Sequence, residues 1–250
     1  MHTSLIIPIV ATLSLGAIAD TGTTEPEPVI DPDDAGSYSP SIHPAEFVDI
    51  IDNPYLPYVV GSRWVYEGVS DGESERVEIE VLSETREIMG VDATVVRDTV
   101  SVGDEMIEDT FDWFAQDQEG NVWYFGEDTR EFEDGVAVNA EGAWEAGIGG
   151  ALPGIVMPAE PSVGDAFRQE YFPGAAEDMG EILEVGVARS IAVGDFDDVV
   201  VMKHWTPLEP EIIEEKWFAG GVGMIYEATT AGGAGSVELV EFTPGVGTVS

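Results

Sequence analysis

The chain has 250 residues, 44% of them hydrophobic, enough for one domain with a sizeable core. Asp and Glu total 50 against 9 Lys and Arg, a formal net charge of -41, which excludes the basic face that nucleic acid or an anionic membrane requires. There is no Cys, so disulfides, thiolate metal sites, a Cys nucleophile and a lipoprotein anchor are excluded as well.

Residues 1–19 read as a signal peptide. The stretch 5–19 is apolar or small and uncharged, it ends in Ala17-Ile18-Ala19, and acids begin at Asp20. The run is too short to span a bilayer but suits a signal h-region. The expectation is a secreted, periplasmic or extracellular protein with no membrane insertion after cleavage. Residues 20–45 read as an acidic Pro/Thr/Asp-rich linker. Its stretch Asp31-Pro32-Asp33-Asp34-Ala35-Gly36 resembles a calcium loop, but Ile42 stands where the closing Glu belongs.

Residues 46–250 read as one β domain. Residues 44–52 supply at most one helical turn. Short alternating segments follow at 63–67, 75–82, 92–101, 105–115 and 121–126, then at 167–172, 181–193, 199–205, 212–219, 224–228 and 237–242. Gly, Asp and Asn separate them. The fold class expected is all-β, an antiparallel meander of roughly ten strands forming a curved sheet, half-barrel or barrel. Residues 139–164 break the rhythm with six Gly, three Pro and many apolar side chains, and are expected to form one long loop over the mouth of the sheet or a plug in its core.

Several strings support a resemblance. Asn53-Pro54-Tyr55-Leu56-Pro57 precedes Gly61-Ser62-Arg63-Trp64-Val65-Tyr66-Glu67. Gly120-Asn121-Val122-Trp123-Tyr124-Phe125-Gly126-Glu127-Asp128-Thr129, Arg168-Gln169-Glu170-Tyr171 and Pro207-Leu208-Glu209-Pro210 follow. Over about residues 53–242 the chain resembles a large group of secreted bacterial β-rich proteins and lipoproteins without an established activity. The resemblance implies a secreted, half-barrel-like β fold and a ligand-binding role. The chain departs from many members in lacking a lipobox Cys and in its acidity.

The chemistry available is carboxylate chemistry. No G-x-S-x-G, H-E-x-x-H, P-loop or dinucleotide fingerprint is present. Glu170, Glu177 and Asp178 surround a turn at Pro173-Gly174 and form a candidate Ca²⁺ site. Asp195, Asp197 and Asp198 form a second acidic turn. Strand alternation puts Arg168 and Glu170 on one face. Were the protein an enzyme, a calcium-stabilised extracellular hydrolase of polysaccharide or ester, the residues to carry it would be Glu127, Glu145, Glu170 and His204. His204 shares a face with Val200 and Met202 and reads first as a strand histidine. Trp113, Trp123, Tyr124, Trp144 and Trp205 are the candidate ligand-binding aromatics. The function expected is non-catalytic binding of a small apolar or sugar ligand, or of an envelope protein, in an aromatic interior.

The excess of carboxylates also implies a halophilic or marine bacterial source. Self-repulsion of such a surface destabilises the compact state at low salt, and at 1 M salt the Debye length shrinks to about 3 Å. The melting temperature should therefore rise from low salt to about 2 M NaCl; a flat profile in a thermal scan would end that reading.

Overall fold

A computed structural model describes residues 38–246 apart from 71, 104 and 141. The signal segment and the Asp31–Gly36 stretch lie outside the described residues. The alternation is realised as antiparallel sheet, and the strands are more numerous than expected. They are β1 (Phe47–Val48), β2 (Arg63–Ser70), β3 (Glu73–Ile88), β4 (Val91–Val102), β5 (Glu105–Asp117), β6 (Val122–Glu133), β7 (Val136–Asn139) and β8 (Trp144–Glu145). Then follow β9 (Leu152–Met157), β10 (Ala166–Arg168), β11 (Glu170–Tyr171), β12 (Met179–Ile191), β13 (Gly194–Trp205), β14 (Ile213–Ala219), β15 (Gly223–Ala231) and β16 (Gly235–Thr243). One 3₁₀ turn, Pro44–Glu46, opens the domain. No helix among the described residues is long and apolar enough to cross a membrane.

Two meanders build the sheet. β2 to β6 pair in chain order, β12 to β16 do the same, and β16 pairs with β2 to join them. Turn chemistry explains the tightest hairpin: Met89 and Gly90 both take positive φ, 52° and 84°, between Ile88 and Val91. That is the type I′ geometry whose twist matches the strands.

The remaining gap is closed by residues 139–171. Here the expectation of a loop is corrected, because β9 lies inside this stretch. β9 pairs with β6 on one side and β11 on the other, while β10 pairs with β12. β10 and β11 are the two halves of one chain segment that changes partner at Gln169. The sheet is therefore nearly closed into a barrel, with its two ends tied covalently. Pro153 and Pro158 obscure β9 in the sequence, yet Pro is tolerated where a ladder N–H is not needed.

Core packing follows from the alternation. Trp64, Tyr66, Val77, Ile79, Val96, Phe114 and Leu239 are cross-strand neighbours on the inner face and are almost fully buried. The segment 51–58 enters the same interior as a plug: Leu56 and Tyr58 are buried, and the Tyr58 ring packs 5.1 Å from Phe114 and 5.6 Å from Trp64. Asn53 fixes the plug. Its Nδ2 donates to the carbonyls of Gly120 and Pro158, its Oδ1 accepts from the amides of Tyr55 and Leu56, and its own amide donates to Gln116 Oε1. β6 is covered on both faces, as its apolar run requires. Tyr124 points inward, and Phe125 packs outside beneath Phe47 at 5.6 Å.

Gly154 is the tightest point of the closure. A Cβ there would stand 2.4 Å from the Gln169 carbonyl carbon and 2.5 Å from the Arg168 oxygen, both backbone atoms. Gly154→Ala should cost about 1–3 kcal/mol or more in urea unfolding. Gly194→Ala, whose Cβ would find nothing nearer than Phe196 at 3.9 Å, should stay within about 0.5 kcal/mol.

Candidate functional site: a barrel cavity with buried acids

Inside the barrel, the alternation delivers carboxyl groups along with the apolar side chains. Ile79 pairs with Asp98, Asp98 with Thr110, Val96 with Asp112, Val100 with Glu108, and Asp112 with Glu127. From the other meander, His204 pairs with Glu214, Met202 with Lys216 and Lys216 with Glu227. Cross-strand partners share a face, so all of these groups point inward.

Few donors meet them. The Tyr124 hydroxyl donates to Asp112 Oδ1 at 2.6 Å, Thr110 Oγ1 donates to Glu108, and the Lys216 ammonium pairs with Glu227 at 3.5 Å. Both oxygens of Asp98, Oδ2 of Asp112, Oε1 of Glu170 and Nε2 of His204 are buried with no hydrogen-bond partner. A carboxylate in such surroundings is disfavoured against its neutral acid.

The protonation equilibria follow. Burial, aggravated by Asp112 and Glu108, pushes Asp98 well above the usual carboxyl range. Burial pushes Asp112 up to about 8, against the hydrogen bond from Tyr124. Burial and the Asp112 and Glu170 charges raise Glu127 well above its usual range. Glu170 rises likewise through burial and Asp178, although Trp144 Nε1 donates to its Oε2 at 2.9 Å. Burial brings Asp178 to about 7 despite Lys216 and Thr206, and Glu75 to about 7. His204 is held well below the usual imidazole range by burial and by Lys216, so it is neutral. For Lys216, burial disfavours the charge, but Glu227, Glu214 and Asp178 outweigh it and raise its pKa.

A cavity opens beside four of these groups, Glu170, Asp178, His204 and Lys216. Aromatic residues line it, Tyr58, Trp64, Tyr66, Phe114, Tyr124 and Phe218, together with the polar groups of Gln169, Glu170, Asp178, His204 and Lys216. The space open to water-sized molecules is about 70 Å³, roughly five to seven water positions at about 10–15 Å³ each. Glu75, Glu214 and Glu227 gather separately around Ser70 and Thr229.

The sequence-level candidates divide clearly. Tyr124 lines the cavity, and Trp144 stands behind it, edge-on to the Tyr124 ring at 5.4 Å. Trp113 faces the other side of β5 under the Arg86 guanidinium at 4.1 Å. Trp123 packs outside against Phe47 and donates its indole N–H to Asp117. Trp205 carries Lys203 over its ring at 4.2 Å. These three are therefore not part of the interior. Glu127, Glu170 and His204 are interior, whereas Glu145 lies outside, paired with Arg86.

The calcium set is not assembled. Glu170 turns into the barrel toward Trp144, while Glu177 accepts the Gly174 amide at the turn. No group of three His, Asp or Glu among the described residues converges as metal ligands, the acidic turn at Asp195–Asp198 included. Nor do Arg168 and Glu170 share a face. The partner change at Gln169 breaks the alternation and sends the Arg168 guanidinium over Tyr171, 4.6 Å from its centroid.

No family model matches the sequence. No curated protein matches it either. Among solved structures the chain is similar to a Bacteroides fragilis protein described as exported and as having a YmcC-like fold, at 14% identity and TM-score 0.45, over 76% of this chain and 99% of that one. It is also similar to a Parabacteroides distasonis protein described as a lipoprotein, at 12% identity and TM-score 0.40, over 76% and 99% of the two chains. Neither likeness carries a role over to this chain.

The interior acids make stability depend on pH in a defined direction. A carboxyl group whose pKa is raised on folding binds more protons in the folded than in the unfolded state. Its contribution is fully present below the unfolded pKa and is lost as pH rises toward the folded one. For Glu75, Asp178 and Asp112 that window runs from about 4 up to about 7 and 8. The melting temperature should fall from pH 5 to pH 8, and in high salt as well, where repulsion between exposed acids is screened. Asp112→Asn keeps an acceptor for Tyr124 and should flatten the slope, with a gain at pH 8 of about 1.4 kcal/mol for each pKa unit removed.

Proposed function

We propose that the protein is a secreted, non-catalytic binding protein whose barrel cavity takes a small ligand. The observation that carries this reading is the cavity itself: aromatic rings and buried polar groups line one space, in which Glu170 Oε1 and His204 Nε2 have no hydrogen-bond partner. Ligand pockets have this composition, mostly apolar with a few convergent polar groups that fix orientation. A scaffold without a ligand has no use for such groups, since filling the space with apolar side chains is as stable or more so. The residues 1–19 support export.

The size of the cavity favours a ligand of about half a dozen non-hydrogen atoms over a lipid or a hexose. A hydrolase working through rim carboxylates has less support, because Glu127 and Glu170 are enclosed and Glu145 is engaged by Arg86.

Native mass spectrometry of residues 20–250, purified from the secreted fraction, should show a small adduct that vanishes on denaturation. Met224→Trp narrows the cavity and should remove the adduct while leaving the far-ultraviolet circular dichroism intact. A bare mass for the parent chain, with no thermal shift in a screen of small metabolites, would favour a filled scaffold.

A further inference from the structure

The chemistry of the cavity narrows the ligand class, given the reading that the cavity is a ligand site. We propose that it takes a small alkylammonium ion, with the ammonium at Glu170 and the alkyl body against the aromatic wall.

The argument begins with Glu170. It is 2% exposed, it lines the cavity, and its Oε2 is held by Trp144 while its Oε1 lacks a donor. The ligand group that completes this site is an N–H or O–H donor. The surrounding charges select among donors. Asp178 stands beside Glu170, Asp112 reaches it from β5, and Glu127 and Tyr124 from β6. Of the other polar groups lining the cavity, His204 on β13 is neutral, and Lys216 on β14 is paired with Glu227. A cation entering this acidic patch is attracted by every carboxyl group that gives up its proton, and an anion gains no such attraction there.

The aromatic wall fits the same ligand. The rings of Tyr58, Phe114 and Tyr124 all line the cavity, Tyr58 5.1 Å from Phe114 and Phe114 stacked on Tyr124 at 4.8 Å. Such faces carry negative quadrupoles and attract alkylammonium groups within about 6 Å, at roughly 0.5–2 kcal/mol. They also bury the alkyl body. The cavity holds roughly five to seven non-hydrogen atoms of this kind.

Charge balance fixes a signature. In the empty protein burial favours the neutral form of Glu170, so binding exchanges its proton for the ammonium: the cation enters, the carboxyl proton leaves to solvent, and net charge is conserved. Affinity then rises with pH, by up to tenfold per unit while one proton is displaced.

Three probes with one tert-butyl body separate the possibilities: neopentylammonium, neopentyl alcohol and pivalate. Titration calorimetry of residues 20–250 at constant ionic strength, in two buffers of different ionisation enthalpy, reads both affinity and proton release. Neopentylammonium should bind at least about tenfold tighter than the alcohol (about 1.4 kcal/mol), release protons, and tighten from pH 6 to pH 8. Pivalate should not bind. Glu170→Gln should weaken the cation about tenfold and the alcohol less, and Phe114→Leu provides a second variant that should weaken the cation more than the alcohol.

Equal binding of alcohol and cation, or tighter binding of pivalate, would overturn the alkylammonium class and leave the ligand cavity standing. Silence from all three probes would overturn both readings.

Discussion

Everything inside this barrel depends on one short segment, residues 166–171, which serves both ends of the sheet. As β10 it pairs with β12, as β11 with β9. Without it the two meanders would form a curved sheet with two free edges, each a row of unpaired amides and carbonyls. The crossing is made at Gln169, whose amide donates to the Asp178 carbonyl at 2.8 Å, and it needs Gly154 because a side chain there would strike backbone. The same crossing aims the functional groups. It lets Gln169 and Glu170, neighbours in sequence, both face the cavity, and it turns Arg168 away onto Tyr171. A regular strand could not do this, since successive side chains alternate.

The closure divides the acids into two populations. A few of those outside pair with arginine, as in Arg63–Glu78–Arg76 and Arg97–Asp109. These pairs are partly exposed, and each contributes little. The acids inside face a low-dielectric medium with few donors, and burial raises their pKa values. The formal charge of -41 assumes that every acid is ionised, so the folded protein near neutral pH is less negative than its composition. Salt acts on the first population and pH on the second, because screening reaches exposed charges and hardly touches buried ones.

The fold was largely legible because period-2 alternation is a local signal. Val77, Ile79 and Val81 announce the inner face of β3 without help from any other segment. β9 was hidden because its Gly and Pro answer a tertiary need, the close approach at Gln169, and not a strand preference. The site was legible in part. Glu127, Glu170 and His204 stood out beside aromatic residues, but Trp113, Trp123 and Trp205 belong to the outer face, and residue type alone does not tell one face from the other. A readable signal was missed: Asp98 sits between Val96 and Val100 in the inward register, and Lys216 between Glu214 and Phe218. An ionisable residue in the apolar phase of a strand is buried by the pattern itself. Tyr58 carried no such signal, because it reaches the interior from the irregular plug whose position is set by Asn53.

A barrel of this size could be filled with apolar side chains, and the comparison shows what its interior acids cost. Neutral carboxyl groups without partners stabilise nothing, and their ionisation opposes folding. Stability thus argues against these interior acids, Glu170 in the cavity wall among them. Trp144 donates to one oxygen of Glu170, and the other has no hydrogen-bond partner. On the alkylammonium reading, one donated hydrogen bond and one displaced proton act on the same atom, so occupancy of the cavity and ionisation of its wall become a single linked equilibrium.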